Sequence, residues 1–200
     1  MAKTSRGIQT EIIRKTIHFL IALVPLMAAI NRNFTIIFLA AGVLSYTLME
    51  CLRLAGIRIP LVSRLTSLAS RARDAGHFVW GPVTLGLGAL AVLVLSALSL
   101  YSFQAASIAI YALAFGDGIS SLVGKSFGRL RPALLCGKSV EGSAACFAVV
   151  SCAAYLVSGN VPAALVSALA ATIIDALPLK EYDNLVLPVV VGFAAEMILR

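Results

Sequence analysis

Charged residues are scarce in this chain of 200 amino acids. Only 12% of the residues are Asp, Glu, Lys or Arg, whereas 60% are hydrophobic and the mean hydropathy is +0.97. This composition excludes an ordinary soluble domain, in which about a quarter of the residues are charged. The sequence therefore predicts an integral membrane protein.

Cysteine motifs, repeats and linkers are missing as well. The four cysteines form no CxxC pair and have no histidine cluster beside them, so the sequence predicts neither a zinc site nor a disulfide framework. No internal repeat, low-complexity tract or linker divides the chain. We therefore predict a single domain over residues 1–200, built as an all-α transmembrane bundle.

A Walker A loop is also absent. Pro132 occupies the position of the required first glycine before Gly137-Lys138, and Ile119 occupies it before Gly124-Lys125. The sequence therefore excludes a P-loop enzyme.

Seven apolar segments are candidate membrane-spanning helices. They cover residues 17–30, 34–49, 83–103, 105–123, 143–157, 161–177 and 185–199. Several are shorter than the roughly 20 residues that cross a bilayer as a helix. Either their ends extend into flanking residues, or one segment is re-entrant.

The distribution of basic residues supports this count. With a cytoplasmic N-terminus, all of the 16 Lys and Arg residues except Arg32 and Arg200 fall in segments on the cytoplasmic side, as the positive-inside rule expects. The net charge of +7 therefore indicates topology and does not suggest nucleic-acid binding.

The longest loop on that side predicts an amphipathic helix near residues 60–74. Its apolar face carries Leu61, Leu65 and Leu68, and its other face carries Arg64 and Arg71. A basic amphipathic helix suits the membrane interface. It either borders an entrance for lipid or serves only as a topology anchor.

A polar, glycine-rich window interrupts the apolar pattern between Gly116 and Ser143. An ionisable side chain such as Asp117 costs about 2.5–3.5 kcal/mol within a membrane span, which favours a functional site. Glycine backbone N–H groups beside Lys or Arg are typical of phosphate binding. The glycines and basic residues concerned are Gly116, Gly118, Gly124, Gly128, Gly137 and Gly142, with Lys125, Arg129 and Lys138.

The predicted topology brings polar residues from other segments to the same membrane face. These are Arg14, Lys15 and His18 before the first segment, Asp175 at the end of the sixth, and Glu181, Asp183 and Asn184 before the seventh. Mg²⁺ prefers a few carboxylates and keeps water and phosphate oxygens as its other ligands, and the candidates are Asp117, Glu141, Asp175 and Asp183. A transport pathway would instead distribute polar groups through the depth of the bilayer.

Simpler structural roles stay open for several of these residues. Arg14 and Lys15 also suit an inner flank, His18 a packing position, and Gly116 and Gly118 helix packing. Glu50 and Arg53 are best explained as a structural i,i+3 pair.

Four motifs together resemble the CTP-dependent lipid-alcohol kinases, which include dolichol kinase, phytol kinase and the CTP-type diacylglycerol kinases. They are RKxxH at residues 14–18, GDGxxxxxGxxxG at 116–128, GKSxEGS at 137–143 and YDNLxxP at 182–188. The resemblance implies CTP as phosphate donor, a divalent metal and a membrane lipid alcohol as acceptor. The window is also similar to that of the phosphatidate cytidylyltransferases, although the single Lys138 and the ending Asp183-Asn184 depart from their pattern.

On this resemblance we expect a nucleotide site on the cytoplasmic side. Asp117, Glu141 and Asp183 are the expected Mg²⁺ ligands, while Lys138 and Lys125 neutralise charge on the phosphates. Either Asp183 or His18 accepts the proton of the lipid hydroxyl, and Arg14 and Lys15 lie near phosphate. Ser139, Ser143 and Asn184 complete the nucleotide site with the glycines. The identity of the lipid and the oligomeric state do not follow from the sequence.

Overall fold

The structure, a computed structural model, describes residues 14–57 and 76–200. These residues form seven helices and no strand, which confirms the predicted all-α class. The helices are α1 (14–30), α2 (Arg32–Leu54), α3 (Gly81–Ala97), α4 (Phe103–Ser126), α5 (Val140–Ser158), α6 (Val161–Ala176) and α7 (Asp183–Leu199). Each predicted apolar segment falls largely on one of them. The amphipathic helix expected near residues 60–74 lies outside the described residues.

Polar side chains begin four of these helices. A side-chain oxygen accepts the backbone N–H three residues further along in each case, which satisfies a donor that the first helical turn leaves unpaired. The capping residues are Asn31 for α2, Ser102 for α4, Ser139 for α5 and Asn160 for α6.

The third predicted segment, residues 83–103, is longer than the helix it predicts. α3 ends at Ala97, and Ser99 takes a left-handed backbone with φ of 60°. Ser102 then begins α4. Hydropathy alone missed this turn because Leu98, Leu100 and Tyr101 continue the apolar run through it.

α4 lies at the centre of the bundle and contacts α1, α3, α5, α6 and α7. Its fully buried side chains are mostly small, as at Ala105, Ala109 and Ala112. Small side chains let helix backbones approach closely, which is how helices associate in an apolar solvent. The central helix is also the one that carries Asp117.

Three helices of the described part are long and apolar enough to cross a membrane, namely α2, α4 and α5. α3 and α6 are shorter apolar helices. α2 lies at the periphery, where it exposes Ile37, Phe38, Leu44 and Leu48. An exposed apolar face of this size is typical of an interaction with membrane or with another protein.

Candidate functional site

A cavity of about 620 Å³ opens at one end of the bundle. Its wall comes from the first turns of α1, α3, α5 and α7, from the last turns of α4 and α6, and from the connections between helices. Odd-numbered helices therefore begin, and even-numbered helices end, at this end. We call it the cavity end.

Most of the predicted site residues line this cavity. They are Arg14, Lys15, His18, Asp117, Gly124, Lys125, Gly137, Lys138, Ser139, Gly142, Ser143, Asp183 and Asn184. Five predicted residues are not among the lining residues, namely Gly116, Gly118, Gly128, Arg129 and Glu141. Three segments that are far apart in sequence thus meet around one space.

Asp117 begins the last part of α4 and is held by residues from α1. Its Oδ2 accepts a hydrogen bond from Lys15 Nζ at 2.5 Å, and His18 Nε2 lies 3.4 Å from the same oxygen. Ser121 donates to Oδ1 at 3.3 Å. Lys15, His18 and Asp117 are all buried, so the carboxylate depends on these partners rather than on water.

A π turn precedes Asp117 at Ala112–Gly116. Such turns within α-helices occur often at functional sites because they rotate the following residues and free a carbonyl group. Leu113 belongs to this turn, and its carbonyl oxygen lies 2.9 Å from His18 Nε2. His18 therefore lies close both to the π turn and to the carboxylate of Asp117.

A second ion pair joins Lys138 to Asp175 across the cavity. Lys138 Nζ donates to Asp175 Oδ1 at 2.7 Å, and Ser120 donates to Oδ2 at 3.0 Å. Burial alone would lower the pKa of Lys138, but the negative charges of Asp175 and Asp117 outweigh it and raise that pKa above its usual value. Lys138 is thus a firmly charged cation facing two carboxylates.

The loop between α4 and α5 is fastened by Arg131. Its guanidinium donates to the carbonyl oxygens of Gly137 and Gly124, both at 2.7 Å. Gly137 has a left-handed backbone with φ of 91°, which glycine adopts without strain. Lys138 directly follows Gly137, so these contacts hold the backbone from which its side chain enters the cavity.

Gly128 allows the same loop to lie close to α4. A Cβ atom there would contact the carbonyl oxygen of Gly124 and would lie 2.5 Å from Ser139 Oγ. Gly116 and Gly118 have a similar packing role, because their Cβ positions would meet Val150 and the ring of Phe19. The structure thus places Gly116, Gly118 and Gly128 at contacts between segments and outside the lining of the cavity.

The structure also separates Glu141 from the other predicted metal ligands. Its Oε1 accepts the backbone N–H groups of Arg129 at 2.9 Å and Leu130 at 3.3 Å. Glu141 therefore orders the loop, and it is Asp175 that shares the cavity with Asp117 and Asp183. Among the described residues no group of three or more His, Cys, Asp or Glu side chains is arranged to hold a metal ion alone.

The start of α7 completes the wall. Asp183 Oδ1 accepts the N–H of Asn184 at 2.8 Å, and the Asn184 amide donates to Thr84 of α3 at 3.1 Å. The backbone of Asn184 lies so close to α3 that only a glycine fits opposite it, at Gly88. Asn184 is thereby a packing residue as well as a lining residue.

Some lining residues were missed by the sequence-based site. Arg131, Ser120 and Lys180 line the cavity without having been assigned to it, and Asp175 was named only as a metal candidate. Asp175 stands at the end of an apolar stretch of the sequence. An acidic residue in such a stretch was the signal that could have assigned it to the site. Arg131 gave no such signal because an arginine in an inner loop is expected anyway.

Comparisons with family models, with curated proteins and with solved structures find no match for this chain.

Proposed function

We propose that this protein is a membrane-embedded kinase that transfers the γ-phosphate of CTP to the hydroxyl group of a lipid alcohol at the cytoplasmic face. The observation that carries the proposal is the charged cavity: Lys15 lines it from α1 and Lys138 and Arg131 line it from the loop between α4 and α5, together with Asp117, Asp175 and Asp183. Cations beside carboxylates suit a nucleoside triphosphate with its metal. CTP is chosen as the donor from the resemblance of the four motifs.

The placement of charge along the bundle supports a membrane-embedded protein with its cavity end in the cytoplasm. The described basic residues concentrate at the cavity end, whereas Arg32 contacts Ser96 and Arg200 contacts Leu100 at the other end. Cytoplasmic segments of membrane proteins collect Lys and Arg. The proposed arrangement is seven transmembrane helices with the N-terminus inside.

The mixed character of the wall supports a lipid alcohol as acceptor. Ile17, Leu85 and Leu177 line the cavity together with the charged groups. A lipid alcohol needs such a wall because its hydroxyl must reach the phosphate while its body stays in an apolar environment. Its class, whether polyprenol, diacylglycerol or phytol, is the part of the proposal that rests on resemblance alone.

In the proposed reaction the lipid hydroxyl oxygen forms a bond to the γ-phosphorus, the bond from that phosphorus to the β-bridging oxygen breaks, and CDP leaves. The hydroxyl proton passes to a carboxylate or to histidine, with Asp183 and His18 as candidates. Lys138 and Lys15 neutralise charge on the phosphates. Positioning supplies most of the catalysis, because phosphoryl transfer has a loose transition state that needs little covalent help.

Two carboxylates that line the cavity are suitable ligands for a divalent cation. Asp117 and Asp183 would hold it, with phosphate oxygens and water as the remaining ligands that Mg²⁺ prefers. When bound, it would withdraw charge from the phosphate oxygens. Glu141 is left out of this set because it is not among the residues that line the cavity.

The proposal is tested with CTP labelled at either the α or the γ phosphate. Purified protein in mixed-lipid vesicles with Mg²⁺ is expected to place γ label, and no α label, in the lipid fraction. Incorporation of α label would favour a phosphatidate cytidylyltransferase-like reaction instead. If the folded protein transferred no label to lipid, both enzymatic hypotheses would be overturned. A small-solute transporter would then be the better hypothesis.

The packing of the core favours an enzyme over a transporter. Below the cavity α4 is surrounded by tightly packed apolar residues, with Ala105, Ala109 and Leu113 fully buried. A transport path would place polar groups along this depth. In the described part of the chain the buried charges instead collect near the two ends of the bundle.

A further inference from the structure

The charged and the apolar residues that line the cavity come from different parts of the bundle. Most of the charged groups, including Lys138 and Asp175, belong to α4, α6, α7 and the connections between α4 and α7. The first three helices supply large apolar side chains, namely Ile17 of α1, Tyr46 of α2 and Leu85 of α3. We call the part of the wall formed by these three residues the apolar side of the cavity.

Contacts between helices show where the apolar side lies in the bundle. α3 packs between α2 and α7: a Cβ atom at Gly86 would collide with Val43 of α2, and one at Gly88 would collide with the backbone of Asn184 in α7. α2 packs against α1 and α3, and its outer face exposes Leu44 and Leu48. The apolar side therefore adjoins the peripheral helix of the bundle.

The cavity extends between α1 and α2, which form a helical hairpin joined at Asn31. Ile17 and Tyr46 are almost equally far from Asn31 along the chain, so the constant rise of a helix places them at a similar depth in the hairpin. α2 packs against Val24–Ile30, close to the turn, whereas Leu20–Leu23 packs against α4. Because Ile17 and Tyr46 both line the cavity, the cavity reaches the space between the two helices at their cavity end.

An apolar stripe on α1 leads to the same place. Leu23, Leu20 and Ile17 are spaced three residues apart, which puts neighbouring members on one side of the helix, and residues Leu20–Leu23 form a 3₁₀ turn in which residues three apart align. Leu20 is 60% exposed and Leu23 is 51% exposed, whereas Ile17 lines the cavity. The stripe therefore runs from the outer surface of α1 to the cavity.

The charged groups begin where the stripe ends. Lys15 and His18, which flank Ile17 on α1, lie 2.5 Å and 3.4 Å from Oδ2 of Asp117. A long-chain alcohol requires this combination, because its chain is stabilised by apolar surroundings while its hydroxyl group needs polar partners. A lipid that lies along the stripe has its hydroxyl at the cavity end and its chain toward the middle of the bundle.

We propose that the acceptor lipid enters the cavity between α1 and α2, and that Ile17, Tyr46 and Leu85 contact the chain carbons next to its hydroxyl group. This inference rests on the proposed function, in which a lipid alcohol accepts the phosphate. It makes the three residues of the apolar side determinants of which lipid alcohol is used.

A second apolar groove, of about 450 Å³, provides an internal comparison. It lies between α3 and α7, and its lining residues in the described part of the chain are Leu87, Leu90, Ala91, Val94, Leu95 and Leu185. This groove also suits a hydrocarbon chain, but the charged groups line the other cavity. Leu85 and Leu87 are two residues apart on α3, so their side chains point to different sides of the helix.

Matched substitutions on α3 test the assignment by kinetics. Leu85→Phe adds bulk to the apolar side, and Leu87→Phe makes the same change in the second groove. One methylene in an apolar pocket changes discrimination by about 10-fold or more. We therefore expect Leu85→Phe to raise KM for the lipid alcohol about tenfold with KM for CTP within about twofold, and Leu87→Phe to leave both within about twofold. Equal KM values for lipid in the two folded variants would overturn the proposal.

Tyr46→Ala tests the space between α1 and α2 without adding bulk to the core. It removes a ring from the apolar side and widens it, which favours an acceptor with two chains over one with a single chain. With diacylglycerol and phytol offered together in mixed micelles, we expect the ratio of γ label in diacylglycerol to γ label in phytol to rise about fivefold. An unchanged ratio would remove Tyr46 from the lipid site.

Photolabelling locates the chain without the reaction. Diacylglycerol, polyprenol and phytol analogues, each with a diazirine beside the hydroxyl-bearing carbon, are irradiated separately with the native protein in micelles without CTP. Mass spectrometry is expected to find labelling near Ile17, Tyr46 or Leu85 that the unlabelled alcohol suppresses. Labelling confined to the second groove, or no suppressible labelling by any analogue, would overturn the inference. Labelling at the apolar side in a protein that transfers no γ label would contradict the proposed function alone.

Discussion

The two ends of the bundle each bury a carboxylate, but they use it differently. At the cavity end Asp117 pairs with Lys15, which lies on another helix 102 residues away in sequence. At the opposite end, which we call the far end, Glu196 accepts the N–H of Ser102 at 2.6 Å and Arg200 Nε at 2.8 Å. Glu196 is therefore paired with a backbone N–H at the start of α4 and with an arginine four residues further along its own segment.

The difference indicates which buried charges mark a site. Glu196 is explained by the donor it satisfies at the start of α4, and Glu50 is explained in the same way by Arg53 and the N–H of Val79. Asp117 and Asp175 satisfy no backbone donor of this kind, since each pairs with a lysine side chain from another segment beside a cavity. A lysine–carboxylate pair beside a cavity, rather than burial of charge, is therefore the feature that distinguishes the candidate site from the far end.

The largest expected effect is the loss of activity in Asp117→Asn, with Glu196→Gln as the matched control at the far end. An amide still accepts a hydrogen bond from Lys15, but it removes the negative charge proposed to hold the metal. We expect Asp117→Asn to reduce γ-phosphate transfer by on the order of 10²–10³-fold or more. Transfer of γ label from CTP to lipid measures it.

Glu196→Gln is expected to keep the native rate per folded molecule while losing about 1–2 kcal/mol of stability, because charged hydrogen bonds at Ser102 and Arg200 become neutral ones. Thermal unfolding separates the two variants. Similar losses of activity in both, after correction for folding, would contradict the distinction between the two ends.

The second prediction concerns the pair of Lys138 and Asp175. Because their side chains are in direct contact, Lys138→Met and Asp175→Asn are expected to be non-additive, with a coupling of about 1–3 kcal/mol in stability. Lys138 is about one-third exposed, which keeps this value below that of a fully buried pair. A double-mutant cycle followed by thermal unfolding gives the coupling.

The two single variants are also expected to differ in kinetics. Lys138→Met removes a cation proposed to contact phosphate and should raise KM for CTP more than Asp175→Asn, which only frees that cation. An Asp175→Asn variant with the larger rise in KM would instead make Asp175 a direct ligand of the metal or nucleotide.

Much of the fold was predictable because the order of apolar segments and basic residues is visible in the sequence itself. Seven apolar segments correspond to seven described helices. The grouping of Asp117 with Lys15 and Asp183 followed from topology, since alternating helices bring their ends together. Helix limits such as Ala97 did not follow, because a turn can consist of apolar residues.

The remaining site residues could not be predicted, because their roles depend on the directions of their side chains, which the sequence does not give. Glu141 stands within the GKSVEGS run, yet its carboxylate turns toward the backbone of Arg129. Asp175 was less conspicuous and faces Lys138. A motif places a residue near a site, whereas its rotamer and its competing partners decide whether it reaches the ligand.

Glycines at the two ends offer a smaller test of the comparison. Gly128→Ala at the cavity end inserts a Cβ against Gly124 and Ser139, and overpacking of this kind costs about 1–3 kcal/mol. Gly159→Ala at the far end meets no atom within 4 Å but keeps φ at 64°, which costs about 1 kcal/mol. We expect only Gly128→Ala to reduce γ-phosphate transfer per folded molecule, since only that change displaces Ser139.

The smallest effects are expected for two exposed arginines. Arg131→Lys loses the planar group that joins the carbonyls of Gly124 and Gly137, because an ammonium does not reproduce that fork. The loop that carries Lys138 then loses about 1 kcal/mol of support, which corresponds to roughly a fivefold rise in KM for CTP at constant kcat. Arg200→Lys, where the side chain is 67% exposed, should leave KM unchanged and alter stability by less than about 1 kcal/mol. Steady-state kinetics over a range of CTP concentrations distinguishes them, and equal KM values would mean that the Arg131 contacts do not position the loop.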